Sequence, residues 1–247
     1  MVGMIFAAGY GTRLKPWTDT HPKALVDVGG MPALSRVIER MREAGVSHVV
    51  VNTHHFAEQI HTFIAASGYG SFVRVSHEPV LLDTGGGLSK ALPLIGDEPV
   101  LIHNVDIMTD FDLRQLIARH QEAEADATLL TDVRRTTRFL VFDDATEHLC
   151  GYYKSECGPV TPDEITLVPT GCSARCFDGI HIVSPRLYPL LRDYAPAGEP
   201  FSIIAFYRSI QERAAICRHD LPAGNHWFDV GKPETLLLAR NFFDSLK

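Results

Sequence analysis

The stretch Phe6-Ala-Ala-Gly-Tyr-Gly-Thr-Arg-Leu-Lys-Pro-Trp-Thr-Asp-Thr-His-Pro-Lys-Ala-Leu25 follows a short apolar run at the start of the chain. Gly9 and Gly11 let the backbone turn sharply and aim its N–H groups at an anion. Arg13 and Lys23 add positive charge beside those groups. The stretch therefore predicts a triphosphate cradle at the end of a first strand. The alternative is an ordinary strand-to-helix turn with chance basic residues.

Two common phosphate-binding loops do not match this stretch. A dinucleotide fingerprint needs a third glycine where Leu14 stands. A P-loop needs Gly-Lys-Ser or Gly-Lys-Thr, and neither occurs in the chain. The predicted cradle is therefore of another type.

Apolar runs alternate with helical patterns over the first half of the chain. The i, i+3, i+4, i+7 spacing that begins at Leu34 marks a helix, which Gly45 ends. Continuous apolar strands separated by helices predict a mostly parallel sheet covered on both faces. The predicted strands are Val2–Ala8, His48–Thr53, Phe72–His77, Val100–Asn104 and Ala127–Val133, and the other helices are Phe56–Ala66, Gly87–Leu92 and Leu113–His120.

The pattern changes after the first 135 residues. Short runs with Gly, Pro, Asp and Glu between Phe139 and Gly171 predict hairpins and loops instead of crossover helices. We expect one domain over residues 1–247, made of the halves 1–135 and 136–247. The later predicted elements are the strands Ile180–Val183 and Trp227–Val230 and the helices Arg186–Tyr194, Ser202–Arg213 and Pro233–Phe243.

The composition narrows the class of protein. A net charge of −7 argues against general binding to nucleic acid. No segment approaches the roughly 18 apolar residues of a membrane span, so we expect a cytoplasmic protein without membrane contact. The five cysteines lack the density of a disulfide scaffold, which favours free thiols. A zinc site stays open as an alternative for Cys150, Cys157, Cys172 and Cys176.

Two sequence elements together resemble the signature of sugar-1-phosphate nucleotidylyltransferases. The first is Ala-Ala-Gly-x-Gly-Thr-Arg-Leu-x-Pro-x-Thr from Ala7, followed by Pro-Lys-Ala-Leu from Pro22. The second is Trp-x-Asp-x-Gly-x-Pro from Trp227. The resemblance implies a Rossmann-like α/β fold of the nucleotide-diphospho-sugar transferase type, with a mixed, mostly parallel sheet. It also implies that residues 1–135 bind nucleotide and that 136–247 form the acceptor-sugar half and a closing helix.

The resemblance further implies roles for particular residues. Asp106 and Asp229 would hold Mg2+ against the nucleotide phosphates, although a lone aspartate such as Asp106 at a strand end is usually a cap or turn residue. Arg13 and Lys23 would be catalytic. The expected nucleotide-binding residues are Ala7, Ala8, Gly9, Gly11, Thr12, Arg13, Lys23, Glu78, Thr84, Gly85 and Asn104.

The segment from Glu78 to the glycine triplet Gly85–Gly87 is expected to receive the base. The glycines would let a flat ligand approach the backbone, and the Glu78 carboxylate would accept the N3–H of uracil. The run Leu-Asp-Thr-Gly-Gly-Gly from Leu82 is similar to uridylyltransferases that act on N-acetylmuramate 1-phosphate. An exposed loop carboxylate and a flexible helix lead-in are the alternatives.

The acceptor side carries fewer signals. Phe-Asp-Gly-Ile from Phe177 resembles the family's Ser/Asn-Gly-Ile element, which predicts that Asp178 and Gly179 lie against the sugar. Lys154 is a further candidate, for the sugar phosphate.

The expected reaction therefore joins an NTP and a sugar 1-phosphate to give an NDP-sugar and pyrophosphate. UTP is the favoured nucleotide. The favoured acceptor is N-acetylmuramate 1-phosphate or a related hexosamine phosphate. The alternatives are a cytidylyl- or guanylyltransferase acting on phosphocholine, mannose or heptose phosphate, and a non-catalytic nucleotide-sugar sensor. A monomer or weak homo-oligomer is expected.

Overall fold

A mixed β-sheet flanked by helices forms the centre of the protein. The structure is a computed structural model in which residues 1–246 are described. The strands are β1 (Val2–Phe6), β2 (Val49–Thr53), β3 (Val73–His77), β4 (Val100–Asn104), β5 (Ile107–Thr109), β6 (Ala127–Asp132), β7 (Arg138–Asp143), β8 (Leu149–Lys154), β9 (Cys172–Val183), β10 (Ile216–Asp220) and β11 (Trp227–Asp229). The helices are α1 (Ala33–Glu43), α2 (Ala57–Ala66), α3 (Asp83–Ile95), α4 (Leu113–Glu122), α5 (Tyr188–Tyr194), α6 (Ile203–Ile210) and α7 (Pro233–Ser245). None of these described helices is long and apolar enough to cross a membrane.

The main sheet has the strand order β10-β6-β9-β4-β1-β2-β3. Strands β4, β1, β2 and β3 are parallel, and Ile5 of β1 lies opposite Val51 and His103. β9 runs antiparallel between β4 and β6, whereas β10 is parallel to β6. The predicted mixed, mostly parallel sheet is thus confirmed.

Apolar layers cover both faces of the sheet. α1, α2, α4 and α7 pack on one face, and α3, α5 and α6 pack on the other. Successive residues of β1 belong to opposite layers, because side chains alternate along a strand: Ile5 lies in the first and Met4 in the second. This two-sided burial is the reason why the strands appear in the sequence as continuous apolar runs.

In the second half of the chain, one sequence prediction agrees with the structure and two strands differ from it. The region predicted to form hairpins does contain one, β7–β8, in which Arg138 lies opposite Lys154. β9 is much longer than the predicted strand Ile180–Val183, because its first half pairs with β7 and β6 outside the apolar core pattern. β10 was not predicted, since Arg218 and His219 interrupt its short apolar run.

Candidate active site

A cleft of about 440 Å³ lies at the carboxyl ends of β1, β2 and β4. Ligands of sheets with this topology bind beyond the carboxyl ends of the strands. The cleft is lined by Phe6, Ala8, Gly9, Lys23, Asn52, Leu81, Asp83, Thr84, Asn104, Asp106 and Pro200. It therefore combines residues from the glycine-containing loop, three strand ends and the start of α3.

The loop after β1 is held in a defined conformation. Ala7 N–H donates to the Asn52 side-chain oxygen at 2.7 Å, which ties the loop to the end of β2. Gly11 has a φ of +65°, and a Cβ there would lie 2.9 Å from Lys23 Cβ, so only glycine fits. Thr12 follows as the exposed first residue of a short 3-10 turn. The buried Ala8 and the neighbouring Gly9 line the cleft itself.

Two cations and two carboxylates converge at the mouth of the cleft. Lys23 Nζ lies 2.7 Å from Asp106 Oδ2. The Arg13 guanidinium donates to both oxygens of Asp229, at 2.8 and 3.2 Å, and its Nη2 lies 3.7 Å from Asp106 Oδ2. These four predicted site residues are therefore brought together, although Arg13 and Asp229 are 216 positions apart in sequence.

A two-stranded sheet, β5 with β11, places the two aspartates side by side. Asp229 is opposite Ile107 in this pair, and Val230 N–H donates to the Asp106 carbonyl at 2.8 Å. Gly231 N–H donates to Asp229 Oδ1 at 2.9 Å. A Cβ at Gly231 would lie 2.5 Å from Arg13 Nη2, so the glycine leaves the room that the guanidinium occupies.

The charges in this group stabilise each other. Burial opposes ionisation of Asp106, but the charge and hydrogen bond of Lys23, together with Arg13, outweigh it and lower the pKa of Asp106. The hydrogen bond from Arg13 to Asp229 raises the pKa of the guanidinium. Asp106 and Arg13 are therefore charged at neutral pH.

Glu78 does not face the cleft as expected. Its side chain is fully buried, and its two oxygens accept hydrogen bonds from Asn52 Nδ2 at 2.7 Å and from Leu82 N–H at 3.0 Å. Both oxygens are thus used inside the protein, and the expectation that the carboxylate accepts a base N3–H is wrong for this conformation. Glu78 instead fixes Asn52 and the turn that leads into α3.

The glycine triplet also serves a different purpose from the one expected. It lies inside α3, where a Cβ at Gly85 would be 2.3 Å from the Phe201 ring and one at Gly87 would be 2.8 Å from Glu78 Oε1. Gly85 N–H donates to the Phe201 carbonyl at 2.8 Å, and Thr84 Oγ1 accepts from Ile203 N–H at 3.0 Å. The close approach is therefore to the protein's own chain, while Thr84 also lines the cleft.

Gly179 and Asn104 lie together on the acceptor side, whereas Asp178 points into the protein. A Cβ at Gly179, whose φ is +77°, would be 2.6 Å from Asn104 Nδ2. The Asp178 side chain is fully buried and paired with Arg134, and burial raises the pKa of Asp178 to about 7 in spite of that pair. The expectation that the Asp178 side chain contacts a sugar is therefore not met, because its surface is covered.

Lys154 and the cysteines lie apart from these groups. Lys154 is 53% exposed at the end of β8, and its Nζ is 3.6 Å from Glu156. Cys150 and Cys172 have their sulfurs 3.8 Å apart, while Cys176 is buried beneath the Arg134 carbonyl. The described residues contain no group of three or more His, Cys, Asp or Glu side chains arranged for a metal ion.

Asn52 is a site residue that the sequence analysis missed. It joins the glycine-containing loop, through Ala7, to Glu78, and it lines the cleft. The signal was available, since an asparagine near the end of the buried run Val49–Thr53 needs a hydrogen-bonding reason to be there. Its partners, however, come from two distant segments.

The chain matches the family model for nucleotidyl transferases over residues 2–143, which is more than half of its length. It belongs to the nucleotidyl transferase family. The resemblance found in the sequence is confirmed, and the protein is an enzyme of this class.

Relatives of this nucleotidyl transferase cover nearly the whole chain. An N-acetylmuramate alpha-1-phosphate uridylyltransferase of Neisseria meningitidis serogroup B is 30% identical, over 94% of this chain and 93% of that protein. A mannose-1-phosphate guanyltransferase of Debaryomyces hansenii is 28% identical, over 96% of this chain but 63% of that protein. The solved structure of a UDP-glucose pyrophosphorylase complexed with UDP-glucose has the same fold, with a TM-score of 0.79, 17% identity and coverage of 100% and 99%.

Proposed function

We propose that this nucleotidyl transferase moves a uridylyl group from UTP to a sugar 1-phosphate, preferentially N-acetylmuramate 1-phosphate, and releases pyrophosphate. The observation that carries the proposal is the convergence of Arg13 and Lys23 on Asp106 and Asp229 at a strand-end cleft. Such a set of fixed charges can bind and align a triphosphate. The choice of UTP and of the acceptor is supported by the uridylyltransferase of Neisseria meningitidis.

Arg13 and Lys23 would bind the triphosphate in different ways. Arg13 is 49% exposed, so its guanidinium can turn toward the cleft and bind phosphate oxygens in pairs. Lys23 is only 15% exposed and would add a point charge at a nearly fixed place. The loop from Ala8 to Thr12 would supply backbone N–H groups beside them.

The acceptor would need no general base. A phosphate monoester is largely dianionic near neutral pH, because its second pKa is about 6. Its oxygen can therefore attack the α-phosphorus directly once the two groups are in line. Asn104 and the backbone at Gly179 could orient the acceptor, since Asn104 lines the cleft and Gly179 packs against its side chain.

Asp106 and Asp229 fit a Mg2+ site. Arg13 Nη2 lies 3.7 Å from one carboxylate and 3.2 Å from the other, so both reach the same small region. One or two carboxylates together with substrate phosphates and water are the usual ligands of this ion. When bound, Mg2+ would neutralise charge on the triphosphate and help pyrophosphate leave.

Selection of the base would depend on the backbone around Leu81 and Asp83. Glu78 would act indirectly, by holding Leu82 N–H and the Asn52 side chain in place. Leu81, Asp83 and Thr84 line the cleft at this point, so the turn that Glu78 fixes forms the wall next to the expected base.

Guanylyl transfer to mannose 1-phosphate is a second candidate function. The similarity to the mannose-1-phosphate guanyltransferase of Debaryomyces hansenii, which covers 96% of this chain, favours it. The cleft residues would have the same tasks in both reactions, and only the base and the acceptor would differ.

Initial rates of pyrophosphate release distinguish the two candidates. Purified protein would be given UTP, CTP, GTP or dTTP with N-acetylmuramate, N-acetylglucosamine or mannose 1-phosphate. We expect the highest kcat/KM with UTP and N-acetylmuramate 1-phosphate, and no release from the double variant Asp106→Asn/Asp229→Asn. A higher kcat/KM with GTP and mannose 1-phosphate would replace the first proposal by the second.

A further inference from the structure

A second cleft, of about 370 Å³, is lined by three arginines and lies beside the candidate active site. Its size is within the range of small-molecule sites. The cleft is formed by β7, β8, the middle of β9 and the start of α6. Its lining residues are Arg134, Thr136, Arg138, Phe139, Leu140, Tyr152, Cys176, Phe177, Ser202, Ile204, Ala205 and Arg208.

The charges of this arginine cleft are only partly neutralised. Arg134 is paired with Asp178 and Asp132, and it lies over the Trp227 ring. Arg138 and Arg208 are exposed, and in the described part of the chain neither forms an ion pair; Arg208 lies over the Tyr152 ring at 4.3 Å. No acidic residue lines the cleft.

Neither Arg138 nor Arg208 has a carboxylate partner among the described residues, although the net charge of the chain is −7. Guanidinium groups bind carboxylates and phosphates with paired, charge-assisted hydrogen bonds. The walls beside them are apolar and include Leu140, Phe177 and Ile204. The cleft thus suits a ligand that carries an anionic group next to a small apolar group.

Two chain segments run from the arginine cleft to the active-site cleft, although no lining residue is common to both. On β9, Phe177 of the arginine cleft is two residues from Gly179, which lies against Asn104. On the other side, Pro200 lines the active-site cleft and Ser202 lines the arginine cleft. The two clefts are therefore neighbours in the fold, as a ligand that reaches both would require.

We infer that Arg138 and Arg208 bind a carboxylate on the acceptor sugar, so that the enzyme selects an acidic sugar 1-phosphate over its neutral counterpart. This inference rests on the proposed function and adds the residues that set the acceptor class. N-acetylmuramate 1-phosphate has a lactyl ether with a carboxylate and a methyl group, whereas N-acetylglucosamine 1-phosphate is the same sugar without it. The two compounds form a matched pair of probes.

The test compares kcat/KM for these two sugar phosphates at saturating UTP. The variants are Arg138→Met, Arg208→Met and the double variant. The control is Arg213→Met, which removes the same charge from an exposed position outside the cleft. Each substitution in the cleft should lower kcat/KM for N-acetylmuramate 1-phosphate by roughly tenfold to a hundredfold, as expected for a lost charge-assisted bond. The value for N-acetylglucosamine 1-phosphate should change far less, and the control should leave the preference of the wild type intact.

Three results would overturn the inference. The double variant could keep the wild-type preference for the acidic sugar phosphate, or the wild type could show no such preference. Alternatively, kcat/KM for both sugar phosphates could fall equally in the variants, which would mean that the arginines bind the phosphate. The first of these leaves uridylyl transfer standing. If the wild type transfers to no sugar phosphate, the proposed function fails instead. Calorimetric titration with the same two sugar phosphates then tests the inference. It requires that the wild type binds the acidic sugar phosphate and that this binding weakens when Arg138 and Arg208 are replaced.

Discussion

Replacing Asp229 with asparagine removes one charge from the mouth of the cleft while keeping the shape of the side chain. The carboxylate accepts two hydrogen bonds from Arg13, at 2.8 and 3.2 Å, and one from Gly231 N–H at 2.9 Å. Asparagine keeps only one of the two acceptor oxygens and no negative charge. Asp106→Asn makes the equivalent change next to Lys23, 2.7 Å away.

The expected effects on stability and on activity differ in size. The side chain of Arg13 is 49% exposed and that of Asp229 is 20% exposed. Loss of this ion pair should therefore lower the unfolding free energy by about 1 kcal/mol or less. The more enclosed Lys23 would be left without its partner in Asp106→Asn, which should cost about 1–3 kcal/mol. In both variants kcat should fall at least about a hundredfold, or about 2.7 kcal/mol in activation free energy, because charge stabilisation of the triphosphate is lost.

Pyrophosphate release at a series of Mg2+ concentrations, together with urea unfolding curves, measures both effects. Asp19→Asn is the matched control, since it removes the partner of Lys15 at 3.0 Å from the exposed part of the same loop. Its kcat should remain within about twofold of wild type. Turnover close to wild type in both cleft variants at limiting Mg2+ would refute the role given to the paired carboxylates.

Three further changes follow from particular contacts. In Gly231→Ala, the new Cβ would lie 2.5 Å from Arg13 Nη2, so KM for the nucleotide should rise about tenfold with little change in Tm. Glu78→Gln turns an amide N–H toward the donors Asn52 and Leu82 N–H and should lower the unfolding free energy by about 1–3 kcal/mol; an unchanged urea midpoint would contradict this. Burial lowers the pKa of His181 to about 3, so the folded state disfavours the protonated imidazole and the protein loses stability as pH falls below about 6.5. At pH 5 this loss of unfolding free energy is about 2 kcal/mol. Urea unfolding of His181→Leu at pH 7.5 and pH 5 should therefore show a smaller loss of stability than wild type.

The sequence predicted the core of the fold because the strands are buried on both faces. β4 was predicted with the bounds that it has, Val100–Asn104, since all but its last residue are buried. α3 was predicted too short, because glycines lower helix propensity and their packing against Phe201 comes from a segment more than a hundred residues away.

Arg13 and Asp106 could be placed on one edge of the sheet from the residue pattern, whereas Asp229 was assigned to the site only through the family resemblance. Arg13 follows β1 and Asp106 follows β4, and these parallel neighbours end on the same side of the sheet. Glu78 and Asp178 were misplaced because their burial depends on tertiary partners. Glu78 is held by Asn52, and Asp178 is held by Arg134, 44 positions earlier, so no local spacing shows either contact.

Phosphorus NMR of the complete reaction tests the proposed transfer most directly. Wild-type protein with Mg2+, UTP and N-acetylmuramate 1-phosphate should produce a nucleoside diphosphate sugar and pyrophosphate in equal amounts, while the sugar-phosphate signal decreases by the same amount. The contrary result is orthophosphate or UMP with the sugar phosphate left unchanged, which would mean hydrolysis of UTP and would contradict uridylyl transfer.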